Sequence, residues 1–143
     1  MTLAAPVPAT RSRVRASLGP LGVAAGGVGV GALLGTVSPH VPGFYPMCPS
    51  YALTGLYCPG CGSLRALHDL AHLDVAGAWS MNPLMVLALP VVVASWFAWL
   101  HRAATGRPRR WISPPWVPNV LLVVVLLFWV ARNVPVLQPY LAP

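Results

Sequence analysis

From Leu18 to Val37 the chain carries no charge, and similar apolar runs recur over 83–100 and over 117–134, the last interrupted only near its end by Arg132. A bilayer core about 30 Å thick takes about 20 helical residues at 1.5 Å each. Within lipid the backbone must satisfy its own hydrogen bonds, so runs of this kind form helices rather than isolated strands. The surroundings agree with that reading. Charged residues make up 8% of the chain, against roughly 25% in soluble domains. Two acids and nine bases are too few to cover a water-facing surface of 143 residues, so lipid must solvate much of the exterior. The expected fold is an all-α membrane protein: three transmembrane helices over 18–37, 83–100 and 117–134, plus a short amphipathic or re-entrant helix after a Cys/Pro-rich loop. In domain terms, 1–17 is a flexible basic tail, 18–134 one membrane domain with a cysteine-motif segment over 45–82, and 135–143 a short C-terminal tail.

All nine bases are arginine. Arg11, Arg13 and Arg15 precede the first run, and Arg102, Arg107, Arg109 and Arg110 lie between the second and third. Three spans put both groups on one side, and the positive-inside rule makes that side cytoplasmic. The 38–82 segment, with its cysteines, and the C-terminus then face outward. Trp96, Trp99, Trp111 and Trp116 fall toward the predicted inner interface, and Tyr45, Tyr51, Tyr57 and Tyr140 toward the outer one. Because the bases flank apolar runs instead of lining a solvated face, the high pI reads as topology and lipid-headgroup attraction, not nucleic-acid binding. The first run is too long for a signal-peptide core and reads as an uncleaved anchor. Gly22 and Gly26, then Gly27, Gly31 and Gly35, form a small-residue stripe at four-residue spacing. Such a stripe lets a second helix approach closely. It suits packing against the chain's own second or third span, or a seam for a homo-oligomer or a membrane-protein partner. Pro90 should kink the second span.

The chemistry-bearing residues lie in the 38–82 connection. Pro39, Pro42, Pro46 and Pro49 are spaced so that no helix is expected before Pro59. All three cysteines are here: Cys48, and the pair in Cys58-Pro59-Gly60-Cys61. A helix is expected from Ser63 to about Leu73, with Cys61, Arg65, His68 and His72 on one narrow arc and Asp69 within pairing reach of Arg65. His40 and His101 read as residues that solvate span ends. Asn82-Pro83 reads as a cap and first-turn proline for the second span.

Three readings of the cysteines stay open. Cys58 and Cys61 at a helix N-terminus suit a redox pair, with Arg65 and His68 beside them. Cys48, Cys58 and Cys61 with His68 or His72 offer the sulfur-and-nitrogen set of a tetrahedral zinc site. The third reading is structural: two of the three oxidise outside the cytoplasm and staple the loop, or the cysteines pack as buried thiols. His68 and His72 lack the intervening Glu of a metalloprotease helix. With only Asp69 and Asp74 as acids, the sequence argues against paired-carboxylate catalysis. No charge lies deep in a span, which argues against an ion pump. The expectation is a non-enzymatic accessory or scaffold protein with a cysteine-stabilised module; the alternative is a membrane thiol–disulfide or zinc-binding protein using the C-P-G-C motif.

The run Cys58-Pro59-Gly60-Cys61-Gly62-Ser63-Leu64-Arg65-Ala66, with Asp74 and then Asn82-Pro83 opening a span, resembles the bacterial membrane proteins grouped as domain of unknown function 2752. That family's pattern is C-P-x-C-G-x-T-R-A followed by a short helix and N-P. Leu64 stands where many members have Thr. The resemblance covers about residues 45–100. It implies a small multi-pass protein of a bacterial inner membrane, and marks Cys58, Cys61, Gly62, Arg65, Asn82 and Pro83 as motif positions.

Overall fold

The computed structural model describes residues 9–143 apart from 42, 44, 46, 47, 110 and 111, with side chains from residue 13 onward. Residues 1–8 of the expected tail, the Arg11 side chain, Pro42, Pro46, Arg110 and Trp111 lie outside the described residues. Seven helices occur among those described: α1 (Ala9–Thr36), α2 (Pro49–Thr54), α3 (Ser63–Ala71), α4 (Val75–Met81), α5 (Pro83–Thr105), α6 (Val117–Arg132) and α7 (Gln138–Leu141). Two helical segments, Arg13–Thr36 and Pro83–Thr105, are long and apolar enough to cross a membrane; Val117–Arg132, with 16 residues, is a shorter apolar helix. The third expected span thus falls short of the length that about 30 Å of hydrocarbon asks for.

Several expected boundaries move. The first helix starts at Ala9, so residues 9–17 are helical where a flexible tail was expected. Pro20 lies inside α1 without ending it. A helix does form ahead of Pro59: α2 has Pro49 in its first turn, where the missing N–H costs nothing, and ends on Gly55 in the left-handed conformation. The helix expected from Ser63 to Leu73 stops at Ala71, and Leu73 takes a positive φ of 64°. The chain then re-enters helix at α4, which Asp74 caps by accepting the Gly77 N–H at 2.8 Å.

α1 and α5 pack side by side, and α3 lies against both α1 and α4. The close approach of α1 to α5 occurs where Trp96 Nε1 donates to the Pro20 carbonyl (2.9 Å) and the Trp99 ring covers Gly19. The glycine stripe does not serve this contact: at Gly22, Gly26, Gly27, Gly31 and Gly35 a Cβ would meet nothing within 4 Å. Packing of the stripe against the chain's own spans is therefore corrected. The bulky indoles at Trp96 and Trp99 set the separation at Gly19 and Pro20, and the stripe faces away.

The two ends of this array differ in character. At one end Arg13, in the N-terminal part of α1, lies beside Gly106, the residue that caps α5. At the other end α3 meets the C-terminal end of α1, α4 leads into α5, and the end of α6 reaches the cysteine loop. Arg65 and Asp69 do not pair. The Arg65 Nε donates to the Pro39 carbonyl at 3.4 Å, and Asp69 takes His40 at 2.7 Å. His40 therefore does more than solvate a span end: it ties the turn after α1 to α3.

Candidate functional site

The C-P-G-C segment folds as a tight turn. The Cys58 carbonyl accepts the Cys61 N–H at 3.1 Å, and Gly62, with φ of 79°, turns the chain into α3. Glycine is required there twice over. The left-handed conformation disfavours a side chain, and a Cβ would sit 2.5 Å from the Met81 carbonyl oxygen and 2.9 Å from Pro143 Cβ. Cys48 comes from a different place, the cap position of α2.

These two segments bring three sulfurs together. Cys58 Sγ lies 3.4 Å from Cys48 Sγ and 3.2 Å from Cys61 Sγ, and all three sulfurs fall within 4.8 Å of one another. All three are free thiols, with Cys61 buried and the others half-buried. Cys61 Sγ also accepts the Cys58 N–H at 3.2 Å. The environments push the thiols apart. The Tyr51 N–H in the first turn of α2, opposed by some burial, brings Cys48 down to about 7. Burial, reinforced by hydrogen bonding to Cys58 and Cys48, pushes Cys61 up to about 12. Tyr57 stacks on Tyr51 at 4.7 Å, and their hydrogen bond together with burial raises the Tyr57 hydroxyl.

The loop that presents the sulfurs is held from beneath by three polar residues at helix ends. Asn82 is fully buried, and its Nδ2 donates to the Pro59 carbonyl (3.0 Å), the Cys61 carbonyl (3.1 Å) and Ser63 Oγ (3.0 Å). Its Oδ1 caps α5 by accepting the Met85 N–H at 3.0 Å, so the expected cap is also the clamp on the turn. Pro83 is buried in the first turn of α5. Asn133 exchanges two hydrogen bonds with the Tyr57 backbone, both at 2.9 Å. Arg132 is fully buried; it donates to the carbonyls of Cys58 (3.2 Å), Pro59 (3.3 Å) and Met81 (3.2 Å), and lies over the Phe128 ring at 5.0 Å.

Arg132 has no carboxylate side chain against it. The chain has two acids; Asp69 takes His40 and Asp74 caps α4. Among the described residues its Nε has no hydrogen-bond partner at all. The ionisable side chains nearest to it are Cys61, Cys58 and Tyr57. A buried guanidinium with only neutral partners is costly unless an anion compensates it, and the groups within reach that become anions on losing a proton are the Cys61 and Cys58 thiols.

The expected metal set divides. Cys48, Cys58 and Cys61 come together, whereas His68 and His72 do not join them. His68 Nδ1 meets the Leu34 carbonyl and its ring lies 5.6 Å from that of His40, while His72 stacks on His68 at 4.3 Å and its Nδ1 meets the His68 carbonyl. Helical wheel position put these histidines on the arc of Cys61, but Cys61 precedes the helix and its turn carries the sulfur away from that face. Arg65 stays at the site, lining a cavity of about 520 Å³ with Cys48 and Cys61. Arg132 and Asn133 were missed as site residues. The available signal was an arginine and an asparagine closing an otherwise apolar helix.

The fold and site define an all-helical protein with two helices suited to a membrane and a tri-cysteine module packed across their ends. Residues 48–96 match the family model described as protein of unknown function (DUF2752), the family its motif resembles. That match takes in the three cysteines, Arg65, Asn82, Pro83 and the first half of α5, and stops short of Arg132. No curated protein and no solved structure matches the chain.

Proposed function

We propose that this protein is a membrane-embedded scaffold whose cysteine module holds one zinc-class divalent ion through Cys48, Cys58 and Cys61. The convergence of three sulfurs from two separate segments carries the reading. A disulfide needs two sulfurs and leaves the third without a reason to be there. One ion with metal–sulfur bonds of about 2.3 Å asks for sulfurs about 3.8 Å apart in tetrahedral geometry, close to the spacing of this cluster. Three thiolates and a divalent ion carry one net negative charge, which the buried Arg132 offsets. Binding must displace the proton that Cys61 holds in the metal-free protein, so affinity falls with acid.

In this reading α1, α5 and α6 all cross the bilayer, and lipid is the main partner of their apolar faces. The 16 residues of α6 rise about 24 Å, a mismatch that local thinning of the bilayer accommodates. The arginine-bearing end is cytoplasmic and the module faces outward from a bacterial plasma membrane. The open glycine stripe of α1 is the face on which a second copy or another membrane protein would seat. α3, amphipathic and laid across the ends of the spans, sits at the outer interface.

A thiol–disulfide role is the second reading, favoured by Cys58 standing within 3.4 Å of both other sulfurs and by a Cys48 thiol held down to about 7. Purification without chelator or reductant, followed by a zinc and thiol count, separates the two. The metal reading expects near one zinc per chain, lost in Cys48→Ser and Cys61→Ser. Protein with no metal and two thiols missing would favour the redox reading.

A further inference from the structure

A cavity of about 520 Å³ opens beside the sulfur cluster, and Cys48 and Cys61 form part of its wall. Tyr51, Tyr57 and Leu64 supply an apolar and aromatic lining, and Arg65 is its cation. This volume lies within the range of small-molecule sites, about 300–1,000 Å³. Among the described residues Arg65 makes one hydrogen bond, from Nε to the Pro39 carbonyl, and neither acid of the chain is its partner. The rest of its guanidinium fork is left for something in the cavity. Protein ligands at the metal are three, and a zinc-class ion takes four.

Resting on the metal reading above, we propose that this cavity seats the ion's fourth ligand, a small organic thiol bound as its thiolate and faced by Arg65. Softness favours this class: an ion already held by thiolates prefers another sulfur to a carboxylate or a water. Charge favours it as well. Three thiolates and a divalent ion leave one negative charge, a fourth thiolate makes two, and Arg132 and Arg65 supply two positive charges. Binding is a ligand exchange without redox change. The thiol's sulfur forms a bond to the ion, and its proton leaves to solvent. Aromatic or apolar thiols gain further from Tyr51, Tyr57 and Leu64.

The test uses full-length protein in detergent loaded with cobalt(II), which reports each bound sulfur by a charge-transfer band, and benzenethiol as the probe. Benzenethiol should saturate at one equivalent and raise that band by about a third, as sulfur ligands go from three to four. Arg65→Gln should load cobalt as before but bind benzenethiol about tenfold more weakly, a change worth about 1.4 kcal/mol. Arg65→Lys should keep the affinity. Cobalt that binds with a three-sulfur spectrum and ignores benzenethiol overturns this inference and leaves the metal reading standing. Benzoate that competes on equal terms overturns the assignment to thiols. Failure to bind cobalt at all overturns both.

Discussion

Replacing Asn82 by alanine should open the cysteine turn while leaving the spans in place. Asn82 is fully buried and serves two structures at once, capping α5 through Oδ1 and tying the Pro59 and Cys61 carbonyls and Ser63 through Nδ2. Loss of an asparagine cap costs about 1 kcal/mol. The Pro59 carbonyl keeps Arg132 as a donor, but the Cys61 carbonyl is left buried without its side-chain donor, at about 1–3 kcal/mol. The module should therefore lose about 2–4 kcal/mol, which at about 1.4 kcal/mol per tenfold raises its open population about 30- to 700-fold. Alkylation of the buried Cys61 in reduced, metal-free protein reads this population directly, because the reagent reaches the thiol only through local opening. Peptide mapping after N-ethylmaleimide treatment gives the rate at that one position. Asn82→Asp keeps the cap oxygen but sets a second acceptor oxygen against the Pro59 and Cys61 carbonyls in a buried site, and should open the turn at least as much as Asn82→Ala. A Cys61 rate in Asn82→Ala within threefold of wild type would refute the role assigned to this side chain.

Gly62→Ala should also expose Cys61, since φ of 79° and the Met81 carbonyl 2.5 Å from a Cβ leave no room for a methyl; the left-handed strain alone is about 1–2 kcal/mol, and the same maleimide assay reads it. Arg132→Met should lower the thermal midpoint in detergent and cost about 1–3 kcal/mol, because it unpairs the Met81 carbonyl and leaves the Cys58 carbonyl with the Cys61 N–H alone, and it should weaken metal binding at least tenfold. In metal-free protein the order of alkylation should follow the thiolates. Cys48, held down to about 7, should gain reactivity as pH rises from 6 and level off above neutrality, while Cys61, pushed up to about 12, stays unreactive to pH 9. A Cβ at Gly27 meets nothing within 4 Å, so Gly27→Leu should leave the thermal midpoint of the monomer unchanged; a fall in that midpoint would show that the stripe packs within the chain.

Much of the array could be read from the sequence because hydrophobic length and charge placement are local signals. Residues 18–36 of the first expected span lie within α1 and 83–100 lie within α5, and Arg13 of α1 lies beside Gly106 at the end of α5. The Cys58–Cys61 turn, Gly62 and the Asn82-Pro83 cap were legible for the same reason, as short-range backbone chemistry. What escaped was non-local. Nothing near position 132 in sequence says that its guanidinium lies beneath a loop 74 positions away. An arginine ending an apolar helix reads as a residue reaching for the interface. Asp69 likewise has Arg65 at helical spacing, yet His40, 29 positions earlier, reaches it at 2.7 Å. The histidines on the arc of Cys61 failed as ligands because a wheel extended past the helix start places residues where the turn does not. Proline spacing misled in the other direction: Pro49 begins α2 instead of forbidding it.

Native mass spectrometry of the full chain, released from detergent without chelator or reductant, tests the central claim most directly. One zinc per chain, replacing the protons of bound thiols and absent from Cys48→Ser, is the predicted result. A wild-type mass without metal and lighter than the sequence by two hydrogens would contradict it, and would make Cys58 half of a disulfide instead of the middle ligand of a metal site.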